Sequence, residues 1–414
     1  MSYLGELRQN VRPLAAAAIG SASGLTVAAY TTSIFSPYLI ERFHWSRAQF
    51  SLIGLTILAA LVVMPIVGRL TDRFGVRPMA LAGTLLLPLA FIGYSVQDGR
   101  FGMFVLGSIG VLVFGSLTSP TVYTRLIAEN FVRARGLALF IVTGAPALMG
   151  AILPRVLIAV NDAWGWRVGY RVLAAYFLIG GLIAVALVPK HEPGLDRATR
   201  PVTRASRVRQ PGAAGEILRT RTFWIICTAM LLCALPTQLH AAQMMVMLGA
   251  AGLAKTTAAN AVSAFAIGAL IGRGVCGLAL DRFAARTVAA LSMVLPALGY
   301  ATIALVPGAV SAITLAMLLV GLSYGAENDL PAFLVAKYFR IQVFSSALAL
   351  VFCGVLFAGA GGAAILSLVL KLTDSFRPFL LLASATVLAG SLLFLALPRE
   401  GRGASLVPAD PAPA

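Results

Sequence analysis

The sequence predicts an all-α membrane protein of twelve transmembrane helices arranged as two six-helix repeats. Three observations predict it. Hydrophobic residues make up 59% of the 414-residue chain and charged residues only 11%, with a mean hydropathy of +0.90; a soluble domain carries about 25% charged residues. The apolar residues gather into stretches near the ~20 residues that span a bilayer core. Two separate landmarks of the first half also recur in the second at nearly one offset.

In chain order, spans are expected at 14–39, 47–70, 79–97, 102–127, 136–160 and 171–188, then at 223–250, 258–280, 287–306, 310–335, 343–370 and 377–397. Lipid offers no partner to backbone N–H and C=O groups, so each span must satisfy its own and be a helix. The first stretch is too long for a signal-peptide core and has no clear small-residue cleavage site, so it should remain as a span. The segment from Lys190 to Thr222 is polar and basic, contains Pro193, Pro201 and Pro211, and reads as a linker. The expected organisation is therefore a six-helix bundle over 1–189, a cytoplasmic linker over 190–222, a second bundle over 223–397 and a tail over 398–414.

The net charge of +17 would suggest nucleic acid in a soluble protein. Here the basic residues lie in short segments between apolar stretches, with no nucleic-acid motif, and their role is topological. Of the 32 Lys and Arg, 21 fall on the side that carries both chain ends, nine on the other side, and Arg125 and Arg273 within spans. The excess puts both termini in the cytoplasm. Cys227, Cys233, Cys276 and Cys353 lie in apolar stretches without metal-ligand spacing and read as small core residues. No P-loop, Ser/His/Asp set or metal cluster stands out, so neither an enzyme nor a cofactor is expected.

The two landmarks are "GRLTDRF" from Gly68 against "GLALDRF" from Gly277, offset by 209, and "AENFVRARGLAL" against "VAKYFRIQVFSSAL", where Phe131 and Phe339 are offset by 208. Parallel six-span repeats are an architecture of secondary transporters. "GRLTDRFGVRP" resembles the loop 2–3 signature of the major facilitator superfamily. That resemblance implies a clamp at the cytoplasmic surface, carried by Gly68, Asp72 and Arg73 and by Asp281 and Arg282 of the second copy, which breaks and re-forms during transport. Gly68 would allow close helix approach. Ala284 stands in the second copy where the first has glycine, so a weaker second clamp is expected. "NFVRARGLAL", "GWR" (Gly165–Arg167) and "GAENDLPAFLVAKYF" resemble the monocarboxylate-porter and oxalate–formate-antiporter branch. This implies transport of small organic anions, commonly carboxylates, driven by protons or by exchange.

An ionisable side chain inside a span costs ~2.5–3.5 kcal/mol on insertion scales and so needs a reason to be there. Arg273 lies eight residues before Asp281, ~12 Å along its helix. Its guanidinium suits a carboxylate, and its position resembles the branch's substrate-binding arginine; a structural ion pair with an acid of span ten is the competing reading. Glu327 and Asp329 lie inside span ten, ~200° apart on a helix, so one cavity cannot take both. Either could carry a proton, gate, or hold an arginine. Tyr324 and Asn328 share the face of Glu327. His240, with Gln243 nearby, corresponds by the repeat offset to Thr31, beside Tyr30; these polar patches in spans one and seven are expected to line the cavity, although a lone histidine is more often a core residue. Arg125 and Arg155 are ambiguous between structure and function. Glycines in spans five and eleven suit close packing. The resembled branch often has a lysine in helix eleven; none precedes Lys371 here, and that departure from the branch implies a monoanion rather than a dicarboxylate.

The expected function is a secondary active transporter that moves a small organic anion, such as a monocarboxylate, by alternating access with proton symport. The alternatives are an anion exchanger, a drug or metabolite efflux pump, and a membrane receptor derived from a transporter. The expected partners are the anion, the proton and the lipid bilayer, without nucleic acid. A monomer in a bacterial inner (plasma) membrane is the expected setting.

Overall fold

The computed structural model describes residues 3–131, 134–189, 217–327, 330–339 and 343–398. After a short helix, Tyr3–Gln9, the first half comprises α1 (Val11–Ala22 and Leu25–Phe43), α2 (Arg47–Ser51, a 3-10 stretch Leu52–Ala59, and Ala60–Phe74), α3 (Val76–Ser95), α4 (Phe101–Ser116 and Pro120–Asn130), α5 (Arg135–Trp164) and α6 (Trp166–Leu187). The second comprises α7 (Arg221–Ala234, a π-helical turn Leu239–Gln243, and Met244–Ala250), α8 (Lys255–Arg282), α9 (Ala285–Leu305), α10 (Val310–Glu327 and Leu330–Tyr338), α11 (Phe344–Thr373) and α12 (Arg377–Phe394). Eleven of the twelve are long and apolar enough to cross a membrane, and α4 contributes a shorter apolar helix, Phe101–Ser116. No strand occurs among the described residues. The expected linker falls largely outside them, as does the expected tail.

The outside of the bundle is apolar. Val62, Leu89, Leu106, Ile179, Val275, Leu278, Leu291 and Leu372 are all exposed. In water such a surface would be one continuous sticky patch; in a bilayer it is the lipid-facing belt.

Three spans expected to be continuous are interrupted among the described residues, and two of them, α1 and α7, occupy matching places in the two halves. α1 breaks at Ser23–Gly24, α4 at Leu117–Ser119 and α7 between Ala234 and Leu239. Local chemistry accounts for the breaks. Pro120 starts the second segment of α4 at the first helical position, where its missing N–H costs nothing. Pro236 sits within the break in α7. Tyr176 Oη donates to the Ala22 carbonyl at 2.6 Å, satisfying an acceptor left over at the α1 break.

The repeated turns are built differently. Gly75, between α2 and α3, has φ +85°, a conformation that glycine adopts without steric cost. Ala284, between α8 and α9, has φ −60° and ψ 123°, ordinary extended backbone. The alanine fits its own turn, so the second copy follows a different path rather than a strained version of the first.

Backbones approach closely along the crossing of α8 and α10. A Cβ built on Gly272 would lie 1.9 Å from the Leu322 carbonyl oxygen; on Gly321, 2.0 Å from that of Phe265; on Gly325, 2.0 Å from that of Ala269. Only glycine fits at these crossings. By contrast, Cβ atoms on Gly68 and Gly277 would meet nothing within 4 Å, so the expected close helix approach at Gly68 is absent. Gly321→Val should therefore destabilise the protein by about 1–3 kcal/mol through overpacking, read as a lower detergent-solubilised unfolding temperature, while Gly277→Val should leave that temperature unchanged.

Candidate functional site

With twelve crossings, the turns at 44–46, 96–100, 251–254, 306–309 and 374–376 share one face, and Gly75, Phe283–Ala284 and both chain ends share the other. The two halves meet along an antiparallel seam between α5 and α8. From the middle of the bundle outward, Arg273 Nη1 donates to the Thr143 carbonyl at 2.6 Å, Ser263 Oγ to the Ala151 carbonyl at 2.7 Å and Arg155 Nε to Asn260 Oδ1 at 2.8 Å, and Lys255 Nζ stands 4.0 Å from Asp162 Oδ1. Lys255 also lies over the Tyr38 ring, 4.5 Å from its centre, and Tyr38 Oη donates to Asp162 at 2.7 Å.

A second seam joins α2 to α7 and α11. Gln243 Nε2 donates to the Arg47 carbonyl at 2.8 Å and to Ser51 Oγ. Arg47 reaches Asp374 at 3.9 Å, and a Cβ on Gly54 would lie 2.6 Å from Ala363 Cβ. Both seams end in these contacts at the face away from the chain ends, which is sealed.

Beneath the seal lies an aromatic cluster drawn from α1, α7, α8, α9 and α10. Tyr30 meets Phe265 and Tyr324 edge-on, with ring centres 6.2 and 6.4 Å apart. Phe265 lies 5.2 Å from Tyr324 and 5.3 Å from His240. His240 stacks on Tyr300 at 5.6 Å, and its Nε2 and Tyr300 Oη are 2.9 Å apart. A Cβ on Gly150 would touch the Tyr30 ring at 2.9 Å, so the small residue of α5 makes room for the tyrosine. His240, Phe265 and Tyr300 are buried, whereas Tyr30, Arg273, Tyr324 and Glu327 are half-buried. Arg273 is close enough to Tyr30 and Tyr324 for its charge to act on both phenols.

The structure thus brings together five of the expected residues: Tyr30, His240, Arg273, Tyr324 and Glu327. It sends two elsewhere. Thr31 is fully buried and its hydroxyl donates to the Val27 and Ala28 carbonyls at 3.0 and 3.2 Å within its own helix, so it does not line the cavity. Gln243 is fully buried in the α2–α7 seam, one π-helical turn away from the direction His240 takes. Asn328 and Asp329 lie outside the described residues. Of the clamp residues, Asp72 and Asp281 fall in the last turns of α2 and α8, Arg73 lies over the Phe74 ring, 5.2 Å from its centre, and Arg282 is exposed. Arg125 Nη1 donates to the Thr71 carbonyl at 3.0 Å, which ties α4 to the end of α2.

Two members of the cluster, Phe265 and Tyr300, went unseen in the sequence. Phe265 lies eight residues before Arg273 on one stripe of α8, a spacing that points to it. Tyr300 carries no such signal; only the packing of α9 brings it to His240.

The comparisons with known proteins agree with this architecture. The family model described as Major Facilitator Superfamily matches residues 16–249, more than half of the chain. An MFS-type transporter of Aspergillus fumigatus is 26% identical over 212 residues, which is 47% of this chain and about half, 48%, of that relative. Among solved structures, the nucleoside transporter NupG superposes with a TM-score of 0.74 at 14% identity over 93% of this chain and 98% of its own. A bacterial homologue of the human lysosomal transporter Spinster, in an inward-facing and unoccupied conformation, superposes with a TM-score of 0.62 at 14% identity, covering 94% and 95%. At such identities the likeness is one of fold.

Loss of the Gln243 contacts should loosen the sealed face. In a background with the four cysteines replaced by serine and Ala363→Cys as reporter, Gln243→Ala should raise the maleimide labelling rate by about tenfold, the equivalent of about 1.4 kcal/mol. An unchanged rate would remove Gln243 from the seal.

Proposed function

This chain belongs to the Major Facilitator Superfamily, and we propose that within it the protein is a secondary active transporter that moves a small organic anion, a monocarboxylate, by alternating access with proton symport. Two bundles, 1–189 and 223–397, rock about the central aromatic cluster, and the chain acts as a monomer. Both termini face the cytoplasm of a bacterial inner membrane, following the basic residues, so the sealed face is the outer one.

The observation that carries the reading is Arg273. It is a permanent cation in a predominantly apolar and aromatic setting, half-buried between the halves and bonded across them to the Thr143 carbonyl. A guanidinium offers a planar fork of donors that matches a carboxylate. The hydroxyls of Tyr30 and Tyr324, within reach of its charge, can donate to the same anion, and the surrounding rings suit a short apolar or aromatic tail. An anion that binds there bridges the halves in place of a protein carbonyl, which is how substrate occupancy becomes linked to the closure of one face. Glu327, one turn beyond Tyr324, is the proposed proton carrier, because Tyr324 adjoins both it and Arg273 and a proton on its carboxyl changes the charge beside that shared phenol by one.

Exchange is the second reading, favoured by the same Arg273–Thr143 bond: an empty carrier must break it to reorient, and a bound anion removes that barrier in both directions.

The test is uptake of radiolabelled acetate, lactate and benzoate into proteoliposomes, with and without an inward-acid gradient. Arg273→Ala should lower uptake at least about tenfold, and Arg273→Lys should recover only part, since an ammonium keeps the charge and loses the fork. Glu327→Gln should abolish stimulation by the gradient. Uptake that ignores the gradient but needs anion on the far side supports exchange. Movement of neutral or cationic solutes, indifferent to Arg273→Ala, overturns the anion reading.

A further inference from the structure

Within the second half, between α7, α9 and α10, a small cavity of about 10 Å³ is lined by Cys233, Thr237, His240, Tyr300, Ser323 and Glu327, among others. That is room for about one water. Two groups facing it lack a partner. His240 is 6% exposed and its Nδ1 has no hydrogen-bond partner. Among the described residues the Glu327 carboxyl makes no hydrogen bond or ion pair.

The tautomer of His240 follows from counting donors. Tyr300 is buried, and His240 Nε2 is its one hydrogen-bond partner among the described residues. If Nε2 carried the ring hydrogen, the tyrosine O–H would be left without an acceptor. With the Tyr300 O–H donating to Nε2, the hydrogen of the neutral ring sits on Nδ1. The cavity then holds an unpaired donor, Nδ1–H, and an unpaired acceptor, the Glu327 carboxylate. A single water satisfies both by accepting from Nδ1–H and donating to the carboxylate. The π-helical turn Leu239–Gln243 creates this arrangement, since the extra residue in the turn rotates His240 into the cavity while Gln243 points into the α2 seam; such turns are frequent at functional sites.

We propose that this cavity is a proton site distinct from the anion site at Arg273, in which Glu327 takes up the proton and His240, held in its Nδ1–H tautomer by Tyr300, positions the bridging water. Uptake converts the carboxylate and a proton from solvent into the carboxylic acid; its new O–H turns toward the water, and the imidazole stays neutral throughout. The titratable groups facing Glu327 are Cys233 and His240 from α7, Tyr300 from α9 and Tyr324 from α10, while Arg273 of α8 meets the far side of Tyr324 and does not line the cavity. Tyr324 adjoins both sites, sensing Glu327 and Arg273 together, and so links protonation to anion binding. This inference rests on the reading of Glu327 as the proton carrier, and it assigns that carrier two positioning residues, His240 and Tyr300.

The test needs no substrate. Infrared titration of the full chain in lipid nanodiscs, free of organic anions, should show a protonated-carboxyl C=O band that changes with pH and is missing in Glu327→Gln. Its midpoint should move by about one pH unit, tenfold in proton affinity, in His240→Asn and in Tyr300→Phe. The phenylalanine variant retains the stacked ring and serves if the histidine variant fails to fold. The midpoint should be the same in sodium and in choline chloride. A band that persists in Glu327→Gln, a midpoint unmoved by Tyr300→Phe, or displacement of the proton by sodium overturns the proposal. Failure of carboxylate uptake in proteoliposomes, with this titration intact, would instead sink the substrate assignment and leave the proton site standing.

Discussion

The architecture of the site depends on the contact of two backbones. α8 and α10 touch through Gly268, Gly272, Gly321 and Gly325, where a single added carbon would collide with main-chain atoms of the facing helix. In lipid, apolar side chains gain little by meeting one another, so close backbone packing is what holds helices together. The same contact carries chemistry. Arg273 follows Gly272 and Tyr324 precedes Gly325, so the helices are locked in a register that sets the cation of one near the phenol of the other. A larger residue at any of these glycines would part α8 from α10 and weaken the bundle.

Around this rigid pair the protein places its breaks. α1, α4 and α7 are interrupted among the described residues. Breaks leave backbone groups unsatisfied and allow a helix to bend, and both are tolerated in a membrane only where neighbouring groups or a cavity compensate. Here α1, α7 and α10 deliver Tyr30, His240, Tyr324 and Glu327 to the centre, and the unbroken α5 and α8 form the long seam on which the halves bear. Interrupted helices present polar groups to the centre, and unbroken ones form the contact between the halves.

The sealed face is held by several modest polar contacts rather than by one strong one. Arg47 with Asp374 and Lys255 with Asp162 are exposed or half-exposed pairs at 3.9 and 4.0 Å, of the kind that contributes little individually. A gate that must open repeatedly cannot be made of deep, fully buried ion pairs, whose rupture would strand charges in low dielectric. The buried Gln243 contacts form the inner layer of this seal, in the same π-helical turn of α7 that carries His240.

Membrane residence and helix number are legible in the sequence because both rest on composition along one chain: the bilayer demands ~20 apolar residues per crossing. Arg273 and Glu327 are legible for the same reason, as rare charges in apolar surroundings. The spacing of Gly268 with Gly272 and of Gly321 with Gly325 was equally there to be read as a close-packing signal. Tertiary structure alone decided the rest. Thr31 and Gln243 were polar residues in the right spans, but a hydroxyl can bond its own helix and an amide can cross to a neighbour, and sequence does not say which. Tyr300 became part of the site only because α9 packs behind α7, and the direction of His240 was set by one extra residue in a helical turn. Distances across helices are a property of packing, and no one-dimensional pattern records them.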